Sequence, residues 1–294
     1  MNLYRSLILL CLLIIQPALA LTLHSRHDSE IAPPRWSKAE QDWLRQAKLL
    51  RVGLLEQDYR PFSMIVSQSR FEGISADYLG ILAKILHKPL ALCPFADKES
   101  ALLALRRGEI DLVNLGNLTL ADTEAPGIRL SRPYFSSPLV FSAPKPHQGP
   151  LLTPGQRVAT VKGQIDAQRF RLYYPTLTLV THPSNAEAFD AVFFGRQEIL
   201  LSDAHAMYYL NSERFDHLRQ RGEAQPSLAP ADFRFAVSAR VPALLGLINH
   251  GLDAIDEGTR NAIFSQWNGP IRDMNDGASE RYDAVELAWM RQSP

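Results

Sequence analysis

From Leu50 onward the chain alternates short apolar runs with amphipathic segments, and this alternation constrains the fold more than any other feature. LRVGLL (50–55), PLALCPF (89–95) and IDLVNL (110–115) read as strands. Between them, YLGILAKILHK (78–88) carries apolar residues at 78, 79, 81, 82, 85 and 86, one helical face, and KESALLALRRGE (98–109) is a second helix. A β-α-β-α-β order predicts a parallel sheet with right-handed crossovers. A second such unit follows. QRVATV (156–161), LTLVTH (177–182) and EILLSD (198–203) are strands; DAQRFRLYY, NAEAFDAVFFG and AHAMYYLN are the helices that follow them. FRFAVSAR (233–240) is a further strand before the helical stretch 244–267. Two α/β units imply two lobes with a crevice at the carboxyl ends of their strands, where ligands of open α/β sheets sit.

The N-terminus predicts export. Arg5 precedes nine apolar residues (7–15), and Ala18-Leu19-Ala20 supplies a small-residue exit, so cleavage is expected after Ala20 and the protein in the periplasm. Nine residues are too few to cross a hydrocarbon core, which takes roughly 20. Lys+Arg and Asp+Glu number 31 each, so overall charge directs the chain to neither nucleic acid nor an anionic membrane. With Cys11 in the leader, Cys93 remains as a single thiol, read as a small apolar side chain.

Residues 21–35 hold two prolines and no periodicity and read as a flexible lead-in, with His24, His27 and Asp28 as solvated side chains. Ser37 and Glu40 have capping-box spacing ahead of a short amphipathic helix. The tail from 270 to 294 is polar until DAVELAWM.

Eight stretches then occur in one order: WLRQAKLLRVGL, YRPF, FEGISADYLGILAKIL, ALRRGEIDLV, SRPYF, QRVATVKG, EILLSDAHAMYYL and AIFSQWNG. Together, over roughly residues 43–269, they resemble the bacterial family 3 extracellular solute-binding proteins, and among those the Venus-flytrap domains of sensor histidine kinases. The resemblance implies a type II two-lobe periplasmic binding protein fold, α/β, each lobe a mostly parallel sheet flanked by helices. Lobe 1 would comprise 45–138 plus 240–269 and lobe 2 139–239, with hinge strands near 138–145 and 233–240. It also implies a monomer that binds a small solute reversibly, serving an ABC permease or a membrane sensor kinase, with no cofactor, metal or nucleic acid. The alternatives are an exported enzyme resembling cyclohexadienyl dehydratases and a member acting through protein contacts without a ligand.

Carried over by motif, Tyr59 and Phe62 fall where relatives line the cleft with aromatic rings, Phe62 being read equally as core. Glu56 falls near an acidic ligand-binding position and is read equally as a solvated loop residue. Lys162-Gly163-Gln164 matches a turn that holds a ligand carboxylate, read here as ending a strand and opening a helix. Asp203 matches an ammonium-binding aspartate and is also a natural helix N-cap. Asn117 and Thr119 are the expected polar contacts after the third strand. Where relatives carry a T-x-x-R arginine clamp, the chain reads Thr119-Leu120-Ala121-Asp122, with Thr123 at the arginine position one register later; Lys162 is a candidate substitute charge. Losing such a partner costs about 2–5 kcal/mol of binding, so a cationic or neutral polar ligand is expected over a plain α-amino acid. Asp203 and His205 also suggest a catalytic pair, but no nucleophile with its own base accompanies them.

Overall fold

A computed structural model describes residues 21–66, 69–117, 126–145, 150, 152–213, 217–226, 228 and 232–268. The leader, Thr119, Asp122, Thr123 and the tail from 270 lie outside these residues.

In chain order, the first part runs β1 (Thr22–Leu23), α1 (Lys38–Gln46), β2 (Leu50–Leu55), β3 (Met64–Val66), β4 (Arg70–Glu72) and α2 (Ile74–Ile85). Then come β5 (Leu90–Phe95), α3 (Lys98–Arg107), β6 (Leu112–Asn117), β7 (Ile128–Leu130) and β8 (Phe135–Ser136). The second part holds β9 (Leu139–Pro144), β10 (Arg157–Val161), α4 (Ala167–Tyr173), β11 (Thr178–His182), α5 (Asn185–Phe193), β12 (Ile199–Asp203), α6 (Ala204–Glu213) and β13 (Leu218–Glu223). The chain closes with β14 (Asp232–Ser238), α7 (Pro242–Ala254) and α8 (Glu257–Asn268).

The alternation builds two sheets. One has the order β5-β2-β6-β14-β7, with β8 paired to β14; the other runs β11-β10-β12-β9-β13. In each, the strands of the β-α-β unit pair in parallel, as β2 does with β5 and β6, and β10 with β11 and β12. β14 and β9 run antiparallel to their neighbours, which makes both sheets mixed. The chain passes from the first sheet to the second between β8 and β9 and returns between β13 and β14. β14 therefore belongs to the first sheet, although the sequence reading ran the second lobe to 239. Its Phe233, Phe235 and Val237 are buried in the first lobe's core, and that burial fixes its side.

Helices cover both faces of the first sheet, so β2 is apolar at all but Arg51 and Gly53, and β6 opens on the apolar Leu112 and Val113, as doubly covered parallel strands do. Leu50, Val52, Leu54 and Leu112 pack with Leu79, Leu82, Leu247 and Ile248 on one face. Val113 and Ala236 pack with Leu102, Leu105 and Ile110 on the other. The second sheet repeats the scheme, with Phe141, Val158, Phe170 and Leu201 on one face and Val140, Phe189, Leu200 and Met207 on the other.

The Ser37–Glu40 capping box forms, Glu40 accepting from the Ser37 N–H at 2.7 Å. Glu40 is itself buried and meets His250 Nδ1 of α7 at 2.9 Å, so the cap also docks α1.

Residues 21–28 are not a free tether. β1 adds in parallel to β4. The buried Asp77 of α2 accepts from Ser25 Oγ at 3.0 Å and from the N–H groups of Arg26 and His27 at 2.7 and 3.2 Å. Its other oxygen accepts from Trp267 Nε1 of α8 at 2.6 Å, and the Arg26 guanidinium lies 3.8 Å above the Trp267 ring. The expectation of a flexible lead-in is thus corrected: the partner that orders it is a buried carboxylate far along the chain. Asp28 pairs with Lys84.

Candidate functional site

Tyr59-Arg60-Pro61-Phe62 closes a tight turn between β2 and β3. The N–H groups of Phe62 and Ser63 both donate to the Tyr59 carbonyl, at 2.8 and 2.9 Å. Gly73, which opens α2, packs beneath this turn: its φ is +125°, and a Cβ there would lie 2.3 Å from the Phe62 carbonyl oxygen. Only glycine serves at such a position. The turn sends its two rings to different places. Phe62 is fully buried and stacks on Phe233 with centroids 3.8 Å apart, so its ring is part of the core. Tyr59 keeps its ring against Phe62 and Phe233 and projects its hydroxyl across to the second lobe.

There the hydroxyl donates to Asp203 Oδ2 at 2.5 Å and accepts from Gln164 Nε2 at 2.9 Å. Gln164 Oε1 accepts from Thr160 Oγ1 at 3.2 Å. Asp203 Oδ1 accepts from the Ala206 N–H at 2.8 Å, capping α6, and from Ser137 Oγ at 3.1 Å. Both carboxylate oxygens are therefore engaged, and Asp203 is 2% exposed. Burial pushes its carboxyl above the ordinary range, against the opposing pull of the hydrogen bonds from Tyr59, Ala206 and Ser137. Two further bonds cross between lobes: Asn185 Nδ2 to the Arg60 carbonyl at 2.7 Å, and Gln57 Nε2 to the Pro183 carbonyl.

Beside this bridge lies a cavity of about 60 Å³ lined by Leu55, Gln57, Tyr59, Ser63, Lys98, Asn114, Val161, Lys162, Gly163 and Gln164. Tyr59, Lys162, Gly163 and Gln164, all singled out in the sequence, meet here. Asp203 stands behind Tyr59 and is not on the wall. Glu56 is exposed at the end of β2 and is not on the wall either. Asn117 is placed only through its backbone, paired with Phe233 in the ladder.

Among the side chains described, β6 delivers the polar Asn114 to the wall. It is 1% exposed, donates to Ser63 Oγ at 3.4 Å and accepts from the Tyr134 hydroxyl at 3.1 Å. A buried amide interrupting the apolar run IDLVNL was the available signal for it. Lys98 arrives from the first turn of α3, just after the carboxyl end of β5, the region where ligands of α/β sheets bind.

The turn at 162–164 differs from expectation. Helix α4 starts at Ala167, not at Gln164, and its own Asp166 accepts the N–H groups of Gln168 and Arg169 at 2.8 and 3.0 Å. The Lys162 N–H is spent on the His182 carbonyl and that of Gln164 on Val161. The helix terminus is thus filled from within, and the turn presents Lys162, Gln164 and the backbone of Gly163 to the cavity. Gly163 has φ +80°, with nothing within 4 Å of the Cβ it lacks.

Ser137, Asp203 and His205 come together, but in the wrong order for nucleophilic chemistry. Ser137 Oγ lies in the middle, 3.1 Å from Asp203 Oδ1 and 3.1 Å from His205 Nδ1, and Ser137 is 1% exposed. A triad needs the histidine between acid and nucleophile and the serine open to substrate. His205 instead wedges between the rings of Phe135 and Phe264, at 4.7 and 4.8 Å, and burial holds its pKa down at about 4. Cys93 is half-buried, and burial pushes its thiol up, away from the reactive thiolate.

Residues 50–270 match the family model of bacterial extracellular solute-binding proteins, family 3. The chain belongs to that family. Virulence sensor protein BvgS of Bordetella pertussis is 30% identical over 254 residues, 86% of this chain and 20% of the sensor. Sensor protein EvgS of Escherichia coli is 23% identical over 277 residues, 92% of this chain and 23% of that protein. The chain thus spans about a fifth of the length of these curated relatives. Among solved structures, the B. pertussis BvgS periplasmic domain superposes with a TM-score of 0.75 at 27% identity, covering 92% of this chain and 52% of that one. An ancestral amino-acid-binding protein described as a precursor of cyclohexadienyl dehydratase matches at 0.62 and 23% identity, covering 79% of this chain and 99% of that one; it speaks to the fold alone. The two-lobe Venus-flytrap fold is that of these relatives. Among the described residues, no helix is long and apolar enough to cross a membrane.

Proposed function

We propose that the chain is a periplasmic binding module that takes a small polar solute into the cleft between its lobes and reports it to a membrane sensor. The observation that carries this reading is the hydrogen-bond chain Gln164–Tyr59–Asp203, which joins the lobes beside a polar cavity. A cleft wired this way couples what occupies the cavity to how the lobes sit, and the two passages between the sheets would serve as hinges. The sensor role is supported by the similarity to BvgS and EvgS, both named as sensor proteins. The same cleft could feed an ABC importer, but no observation favours that. An amine-bearing ligand, expected from Asp203, is disfavoured because both its oxygens are already engaged across the lobes.

The reading is tested by thermal-shift and calorimetric titration of the purified chain against small acids, amines, amides and amino acids, with small-angle scattering on each hit. Saturable binding of at least one solute, with a change in the scattering profile, is expected. No binding in any class would overturn the reading in favour of a member acting through protein contacts.

A further inference from the structure

His205 opens α6 of the second lobe, yet its ring is held by the first. It lies edge-on between Phe135 of β8 and Phe264 of α8, at 4.7 and 4.8 Å, where α6 packs on α8. Ser137 Oγ, which donates to Asp203 Oδ1, also accepts the His205 backbone N–H at 3.1 Å. The ring seat and the Tyr59–Asp203 bridge therefore share one element, the start of α6. Among the described residues, His205 Nε2 is buried without a hydrogen-bond partner. Ring contacts favour the seat and the unmet nitrogen opposes it. The two offset each other, so a shift of lobe 2 can empty the seat.

On α8 the two ends are held differently. Toward its start, Arg260 donates to the Leu252, Ile255 and Tyr134 carbonyls at 2.5, 3.1 and 3.4 Å, and Ile263 is fully buried in the core of lobe 1. The last turn meets two partners. Phe264, 37% exposed, touches lobe 2 through His205. Trp267 donates to Asp77 Oδ2 at 2.6 Å, beneath the Arg26 guanidinium. Residues three apart are neighbours on one helix face, so a tilt or roll of this turn moves both. Asp77 in turn accepts from Ser25, Arg26 and His27.

We propose that α8 is a relay between lobe 2 and the N-terminal segment. The seat of His205 between Phe135 and Phe264 holds the last turn of α8, and that turn holds Asp77 through Trp267. Withdrawal of His205 frees the turn, loosens the Trp267–Asp77 bond and releases residues 25–27. By linkage the effect runs both ways, so release of the segment loosens the seat. Contacts alone build this link, and it requires no solute in the cleft.

The test is amide hydrogen exchange on the purified chain, read by mass spectrometry. Peptides over 22–28 report the segment, those over 204–210 the start of α6, and those over 50–55 the core strand β2 as reference. H205A and F264A are each expected to speed exchange at 22–28 by at least about fivefold, with β2 unchanged. The H205A/F264A variant is expected to match F264A, because both substitutions break one contact. H205F keeps a ring in the seat and is expected to retain parental exchange. D77A is expected to speed exchange at 204–210, the reciprocal effect. Circular dichroism and melting of each variant establish that it folds, and the part-exposed Phe264 supplies a variant that empties no core. Parental exchange at 22–28 in H205A and F264A would overturn the relay. Additive effects in the double variant would overturn it too, as would acceleration that includes β2, the mark of a general loss of stability. Equal loss of protection in H205F and H205A would overturn the ring seat as the link, and an unmoved 204–210 in D77A would overturn the coupling.

Discussion

Tyr59 of the first lobe donates a 2.5 Å hydrogen bond to Asp203 of the second, and the same hydroxyl accepts from Gln164. Tyr59→Phe leaves a buried carboxylate oxygen and an amide N–H without this partner. A loss of about 1–3 kcal/mol in the closed arrangement follows. Chemical denaturation should show that loss, and small-angle scattering a larger radius of gyration. An unchanged radius and midpoint would mean that the bridge does not hold the lobes.

His205 and Asp203 predict opposing pH effects. The folded pKa of His205 is lowered to about 4 from 6.5, so its contribution to stability is complete above pH 6.5 and is lost as pH falls toward 4. Asp203 is raised, so its contribution is fullest below its ordinary value of 3.8 and declines as pH rises through its elevated folded pKa. Melting curves from pH 7 to 4.5 should therefore fall less steeply toward acid for His205→Gln than for the parent. For Asp203→Asn they should fall more steeply. Parallel curves for all three proteins would contradict both assignments.

Asp77 gathers the N-terminal segment, α2 and α8 on one carboxylate. Asp77→Ala strands the Trp267 indole N–H and two backbone N–H groups, which should cost about 3 kcal/mol or more. Limited proteolysis should then cut within residues 21–28 faster than in the parent. Full protection in the variant would mean that β1 alone holds the segment.

Gly73 and Gly163 separate two costs of a positive φ. Gly163→Ala meets no neighbour and should cost about 1–2 kcal/mol from backbone strain alone. Gly73→Ala adds a clash with the Phe62 carbonyl and should be substantially worse, displacing the turn that carries Tyr59. Equal melting temperatures for the two variants would count against that packing.

The two α/β units were legible along the chain because their main strands and helices announce themselves locally, whereas β1, β3, β4, β7 and β13 were not read. Period-2 and period-3.6 patterns, the Ser37–Glu40 box and ordered family stretches need no distant partner to be read. The candidate site was legible only in part. Tyr59, Lys162, Gly163 and Gln164 fall beside one cavity, and Asn114 joins them without having been singled out, while Asn117 is described only through its backbone and Thr119 lies outside the described residues. In β6 a side chain's face depends on sheet register, and neighbouring strands set that register.

The amino-acid sequence by itself determined the two α/β units, their central strands and most of their helices, and the family. Only the tertiary structure decided that Phe62 is core, that Asp203 serves the bridge between lobes, and that residues 21–28 are bound. Each of those outcomes turns on a partner remote in sequence: Phe233 for Phe62, Tyr59 for Asp203, Asp77 for the N-terminal segment. Local patterns encode backbone conformation and an apolar face. Which hydrogen bond a buried polar group makes is settled by what folding brings within about 3 Å of it.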